Sequence, residues 1–204
     1  CERCNVLYCS YTCLLLDWEA HKKACAPKTT RSRVDASAGD NSTSSRSAPG
    51  LEKHIPNPFT QIDSGAYLHN RPERDVYKLL IDTYRLRMAD RCGLEGVREA
   101  DSLYAPGVTD AMPGFRRFLG LVEAKRGVLP SWWSAEKERE CERLGGGGGG
   151  WSSLRRKIEK SDVLAHYRDE KFPMQLRMFG ETIYGRGIGG QDGTMIRRMM
   201  MAQE

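Results

Sequence analysis

The sequence predicts a mainly α protein in which a small, metal-stapled start leads through a flexible linker into an all-α domain. Three observations carry that reading. Residues 1–25 hold Cys1, Cys4, Cys9, Cys13, His21 and Cys25, six metal-ligand side chains in one short span. From Leu51 onward, apolar residues recur at helical spacing in blocks opened by Pro or Ser and closed by Gly. Alternating apolar and polar runs, the mark of strands, are nearly absent.

The intervals within the first segment are C-x2-C-x4-C-x3-C-x7-H-x3-C. A C-x2-C pair lets one tight turn aim two thiolates at an ion about 2.3 Å away, and H-x3-C on a helix stacks imidazole and thiolate on one face. Cys1, Cys4, His21 and Cys25 thus make a complete Cys3His set for zinc. Cys9 and Cys13, one turn apart if helical, make half of another. A disulfide framework and simple buried thiols are the competing readings, and five cysteines with a helical His fit a bridge pattern badly. Four protein ligands leave no open coordination position, so such a zinc is structural.

The same intervals, with the words YCS, DW and HK in register, resemble the MYND zinc finger, whose two zinc sites interleave along the chain. The resemblance implies that ligands one, two, five and six hold one ion and ligands three, four, seven and eight the other. Cys1 and Cys4 then stand as three and four, Cys9 and Cys13 as five and six, His21 and Cys25 as seven and eight. The second site is whole, and the first lacks its opening C-x2-C, so a second zinc is expected only with upstream cysteines. Because the sequence starts at Cys1 without an initiator Met, it reads as a fragment or as a gene model that lost its first exon. In partner-binding members of the family, an aromatic at the DW position helps form a groove for a proline-containing peptide, often Pro-x-Leu-x-Pro. Trp18 occupies that position here, either as groove wall or as packing for the finger. Leu14 follows the sixth cysteine where the family often has Gln, and the polar contact of that Gln is missing. A pre-extended proline segment loses little entropy on docking against an aromatic wall.

Composition bounds the rest. At 204 residues and 39% hydrophobic, the chain can bury one modest core beside the finger. A net charge of +5 falls far short of the dense Lys/Arg stripe that nucleic-acid backbones call for. No run of eighteen apolar residues exists, so no membrane-spanning helix is expected. Cysteines at ligand spacing indicate a reducing intracellular compartment, which does not separate cytoplasm from nucleus and leaves other organelles open, and the sequon at Asn41 would stay idle there. Any targeting signal would lie upstream of Cys1.

Residues 26–50 carry no aromatic side chain and only Val34 as a branched aliphatic, so they read as a disordered linker. Residues 51–204 form the helical domain. Its first stretch, LEKHIPNPFTQIDSGAYLHN, reads as extended because Pro56 and Pro58 hold their predecessors out of the helical region. Asn70 as N-cap, Pro72 and Glu73 open a helix in which Val76, Tyr77, Leu80, Ile81, Tyr84 and Met88 recur until Gly93. This helix is expected to be the spine of the domain. Pro113 opens a second helix with Phe115, Phe118, Leu119 and Val122 on one face, ended by Gly127. Ser134 caps a charged helix, AEKERECERL, and Gly145 to Gly150 read as a flexible loop. Trp151 to Tyr167 read as two short helices, the second capped by Ser161. Pro173 opens a last helix with Leu176, Phe179 and Ile183 inward and Gly185 as its stop. The Met-rich basic tail suits docking on the domain or on a partner.

No catalytic constellation appears. His54, His69 and His166 lack a spaced Ser, Cys or carboxylate set, and Cys92 and Cys141 stand alone. Trp132 and Trp133 read as bracket packing between helices. Gly185, Gly187 and Gly190 satisfy G-x-G-x-x-G, but a helix precedes them, and the dinucleotide motif needs a strand there. The leading reading is a non-catalytic protein–protein interaction module with structural zinc. MYND fingers also occur inside SET-type lysine methyltransferases, which would need β-rich sequence and an Asn-His pair that do not follow this finger. Weak nucleic-acid binding is the third reading, resting on the basic linker and Arg197-Arg198. The whole chain is also similar to fungal MYND-finger proteins with words like LIDTYRLRM, FRRFL and YGRG, a resemblance that brings no activity with it.

Overall fold

The computed structural model describes residues 50–204, and among them all regular structure is helical. Seven α-helices occur there: α1 (Pro58–Asp63), α2 (Glu73–Glu95), α3 (Met112–Ala124), α4 (Ala135–Gly146), α5 (Lys160–Tyr167), α6 (Phe172–Tyr184) and α7 (Thr194–Met201). A 3-10 turn at Ile188–Gly190 separates the last two.

The spine expectation holds for α2. Its 23 residues bury Val76, Leu79, Leu80, Ile81, Tyr84 and Leu86, and α3, α4, α6 and the 3-10 turn all pack on it. Burial extends to Asp75, Asp82, Arg85, Arg87 and Asp90, so the helix is enclosed on nearly every side and its polar residues must find partners inside the protein. Both ends differ from expectation. Asn70 sits in the left-handed region at φ 55 and makes no cap, its carbonyl accepting from Lys53 Nζ at 2.6 Å instead. Gly93 is internal, and the stop is Gly96, whose φ of 68 suits a residue without Cβ. Asp75, in the first turn, accepts the backbone N–H groups of Glu52 and Lys53, each at 2.9 Å, and so fastens the preceding segment along the helix.

That segment is not wholly extended. Pro58 disfavours helix only in the residue before it, and its own fixed φ suits a first helical turn, so α1 starts there and buries Phe59 and Ile62. Free amides at its start are met from far along the chain, because the Glu204 carboxylate accepts from the backbone N–H of Phe59 and Thr60 and from Thr60 Oγ1 at 2.7 Å.

Helix α3 buries Phe115, Phe118, Leu119 and Val122 as expected and ends at Ala124, before Gly127. Gly114 is fixed by packing: a Cβ there would lie 2.2 Å from Tyr84 Oη and 2.8 Å from the Asp101 carbonyl. Ser134 caps α4 by accepting from Lys137 N, and Cys141 is buried against α2. The glycine loop is shorter than expected. Gly145 and Gly146 belong to α4, and Gly145 lies so close to Leu154 that a Cβ would meet its Cδ1 at 2.8 Å. The Gly145 carbonyl also accepts from Leu154 N at 2.8 Å, so tertiary contact overrides glycine's weak helix propensity.

One helix, not two, occupies Trp151 to Tyr167. Glu159 caps α5 in a reciprocal capping box with Asp162, while Ser161 lies inside the helix. In α6, Leu176, Phe179 and Ile183 are buried and Gly185 closes the helix at φ 73, as expected. It is not the last helix. The Met-rich tail forms α7, which packs on α1 through the Arg197–Asp63 pair at 2.8 Å and sets Ile196, Met200 and Met201 against the core.

Candidate functional site

Cys1, Cys4, Cys9, Cys13, Leu14, Trp18, His21 and Cys25, like the linker to residue 49, lie outside the described residues. Among the described residues no cluster of His, Cys, Asp and Glu is arranged to hold a metal. There, two features stand out: a buried polar node and a surface groove.

The node centres on Asp82, fully buried on α2. Its Oδ1 accepts from Arg85 NH1 at 2.7 Å. Its Oδ2 accepts from Tyr167 OH at 2.6 Å, Trp151 Nε1 at 2.7 Å and Ser152 Oγ at 3.3 Å. Arg85 also donates to the Trp151 and Arg156 carbonyls. One carboxylate therefore gathers the end of the glycine run, the turn after it and α5 onto the spine. Both carboxylate oxygens are satisfied by groups from three segments, so the node acts as a structural joint. Sequence reasoning missed it, although an acid inside LLIDTYRL, a run otherwise fit for the core, is the signal that marks it.

His166 closes the outer side of this joint, its ring stacked on Trp151 at 4.0 Å between centroids and 8° between planes. Burial lowers its pKa below the ordinary 6.5; the Asp82 charge opposes that shift, and Lys78, Arg85 and Arg156 add to it. The folded state thus holds this proton less tightly than the unfolded chain. Stability should be full above about pH 6.5 and decline as pH falls through the lowered folded value. Urea midpoints measured from pH 7.5 down to 5 should show this slope, and His166→Phe should flatten it; an unchanged slope would remove His166 as its source.

The groove has a volume of about 430 Å³ and runs between α2, α3 and the end of α6. Tyr84 and Met88 from α2, Phe118 and Leu121 from α3 and Tyr184 from α6 make it mainly apolar. Arg91, Glu99 and Arg117 stand on its rim. Arg91 pairs with Glu95 and Glu99, and Arg117 with Asp101. Gly120 also lines it, and unlike Gly114, a Cβ there would meet nothing within 4 Å. A helix-interior Gly costs about 1 kcal/mol relative to Ala, and among the described residues no close contact accounts for that cost.

The other candidates play structural roles. Trp132 and Trp133 are half-buried, edge-on to Tyr77 at 6.3 and 6.1 Å, and Trp133 Nε1 donates to Glu123. Burial pushes the Cys141 thiol pKa up, which leaves it unreactive. Cys92 is half-buried and unpaired. His54 is exposed and His69 half-buried. The G-x-G-x-x-G run follows α6 and contains the 3-10 turn, so no dinucleotide loop forms. No helix among the described residues is long and apolar enough to cross a membrane.

Comparison with family models matches residues 1–25 to the MYND finger. Comparisons with curated proteins and with solved structures find no match for the chain. The chain thus carries a MYND-type zinc finger at residues 1–25, and MYND fingers are zinc-binding modules of protein–protein interaction, typically without enzymatic activity. The thiolate and imidazole donors of that segment suit zinc chemically.

Proposed function

We propose that this protein is a non-catalytic, intracellular adaptor whose finger, held by structural zinc, docks a proline-containing segment of a protein partner. The match of residues 1–25 to the MYND finger carries the reading. Cys1, Cys4, His21 and Cys25 hold one zinc, and Cys9 and Cys13 are half of a second site. Trp18 supplies the aromatic wall and Leu14 an apolar neighbour, so affinity rests on ring-to-proline contact without the polar contact common in the family. A well-packed aromatic anchor is worth about 2 kcal/mol or more at an interface.

A synthetic Pro-x-Leu-x-Pro peptide titrated against the whole chain tests this reading. Trp18→Ala should weaken binding at least about thirtyfold and leave the zinc content unchanged. Equal affinity of wild type and variant, or no binding by either, would sink the groove assignment.

A further inference from the structure

We infer that a small cavity between α2 and α6 is a binding site for a monatomic anion such as chloride. The cavity measures about 10 Å³ and lies beside the 3-10 turn, with Thr83, Arg87, Asp90, Arg177 and Gly180 among its walls. That is room for one occupant about the size of a water, which suits a halide and excludes phosphate or sulfate. Gly180 helps to keep the space, since a Cβ there would crowd Thr83 Cγ2 at 3.3 Å. Two polar groups of these walls lack a partner in the protein. Arg87 is 6% exposed and Thr83 1%, and neither Arg87 Nε nor Thr83 Oγ1 makes a hydrogen bond. Buried polar groups are normally met, so two on one cavity point to an acceptor that enters from outside. The other contacts of the Arg87 guanidinium are weak: one NH2 bond of 3.4 Å to the Gly187 carbonyl, and the Tyr184 ring 4.9 Å from its Cζ.

Charge decides between an anion and a water. Arginine stays protonated at neutral pH, and a buried cation without a counter-charge is costly. Asp90 does not supply that charge, because both its oxygens accept from Arg177, at 2.7 and 2.8 Å. Glu95 acts on Arg87 from farther off and pairs directly with Arg91. Arg91 and Arg186 raise the positive potential at Arg87 further. The cavity walls thus hold two guanidinium groups against one carboxylate. A water would meet a donor and leave the excess charge, whereas a halide accepts from Arg87 Nε and Thr83 Oγ1 and cancels it. This inference is independent of the finger.

Thermal unfolding of the whole chain in sodium chloride and in sodium gluconate at equal ionic strength tests it, because gluconate is too large for the cavity. The melting temperature should rise with chloride along a saturating curve, by about 3–6 °C once chloride stands tenfold above its dissociation constant. Arg87→Gln keeps a donor and removes the charge, so it should melt alike in the two salts. A second measurement needs no variant: crystals of the wild-type chain grown with bromide in place of chloride should show an anomalous peak between Arg87 and Thr83. Equal melting of the wild type in both salts, a chloride rise that Arg87→Gln retains, or a water alone at that position would overturn the inference.

Discussion

Replacing Asp82 with Ala should cost the helical domain about 3–5 kcal/mol, the range for removing one partner of a buried ion pair. The Arg85 guanidinium, 3% exposed, would stay buried opposite a void. Tyr167 OH, Trp151 Nε1 and Ser152 Oγ would lose the oxygen that accepts from all three. Each unmet buried donor adds its own desolvation cost. For a domain of this size, the loss corresponds to a melting temperature lower by about 10 °C. Asp82→Asn is the useful comparison, since it keeps an oxygen acceptor and loses the charge. It should fall between wild type and Ala. Tyr167→Phe removes a single donor and should cost about 1–2 kcal/mol. If Asp82→Ala melts within about 2 °C of wild type, the carboxylate is not the joint that holds α5 and the glycine run to α2.

The contrast between Asp82 and the helices around it shows what the sequence makes legible. Apolar spacing located α2, α3 and α6, because period and burial have the same cause: one face of each helix meets the core. Ser134 and Gly185 were readable because their effects are local, a side-chain acceptor at one end and a left-handed residue at the other. Local signals misled where tertiary contacts outweighed them. Gly93 carries no positive φ and passes inside α2, whereas Gly96 three residues on takes the left-handed geometry. Gly145 stays helical because Leu154 seats against it, a contact made across a turn. Pro58 restrains its predecessor and also serves as the first residue of α1. The cap of that helix comes from Glu204, 145 residues beyond Phe59. The groove is likewise a product of three helices and has no signature in any one of them.

The finger presents a different case, since its proposed ligands rest on spacing and on the match of residues 1–25 to the MYND finger, and its expected effect is the largest. Elemental analysis of the purified chain should find about one zinc per chain, and Cys25→Ser should abolish it. Three remaining ligands of a Cys3His set leave an open position and surrender most of a binding free energy of about 10 kcal/mol or more in peptide fingers. Cys9→Ser should leave the single zinc in place, because the proposed pairing puts Cys9 with Cys13 in the half site. Loss of zinc from both variants would mean that the six ligands act as one cluster, contrary to the interleaved pairing that the finger implies. Metal content is set by thiolates, so acidification should release it as the cysteines and His21 take up protons. The steepness of zinc loss with pH counts the protons that the ligands take up, one for each thiolate and one for the imidazole, which distinguishes a Cys3His site from a smaller ligand set without reference to any partner.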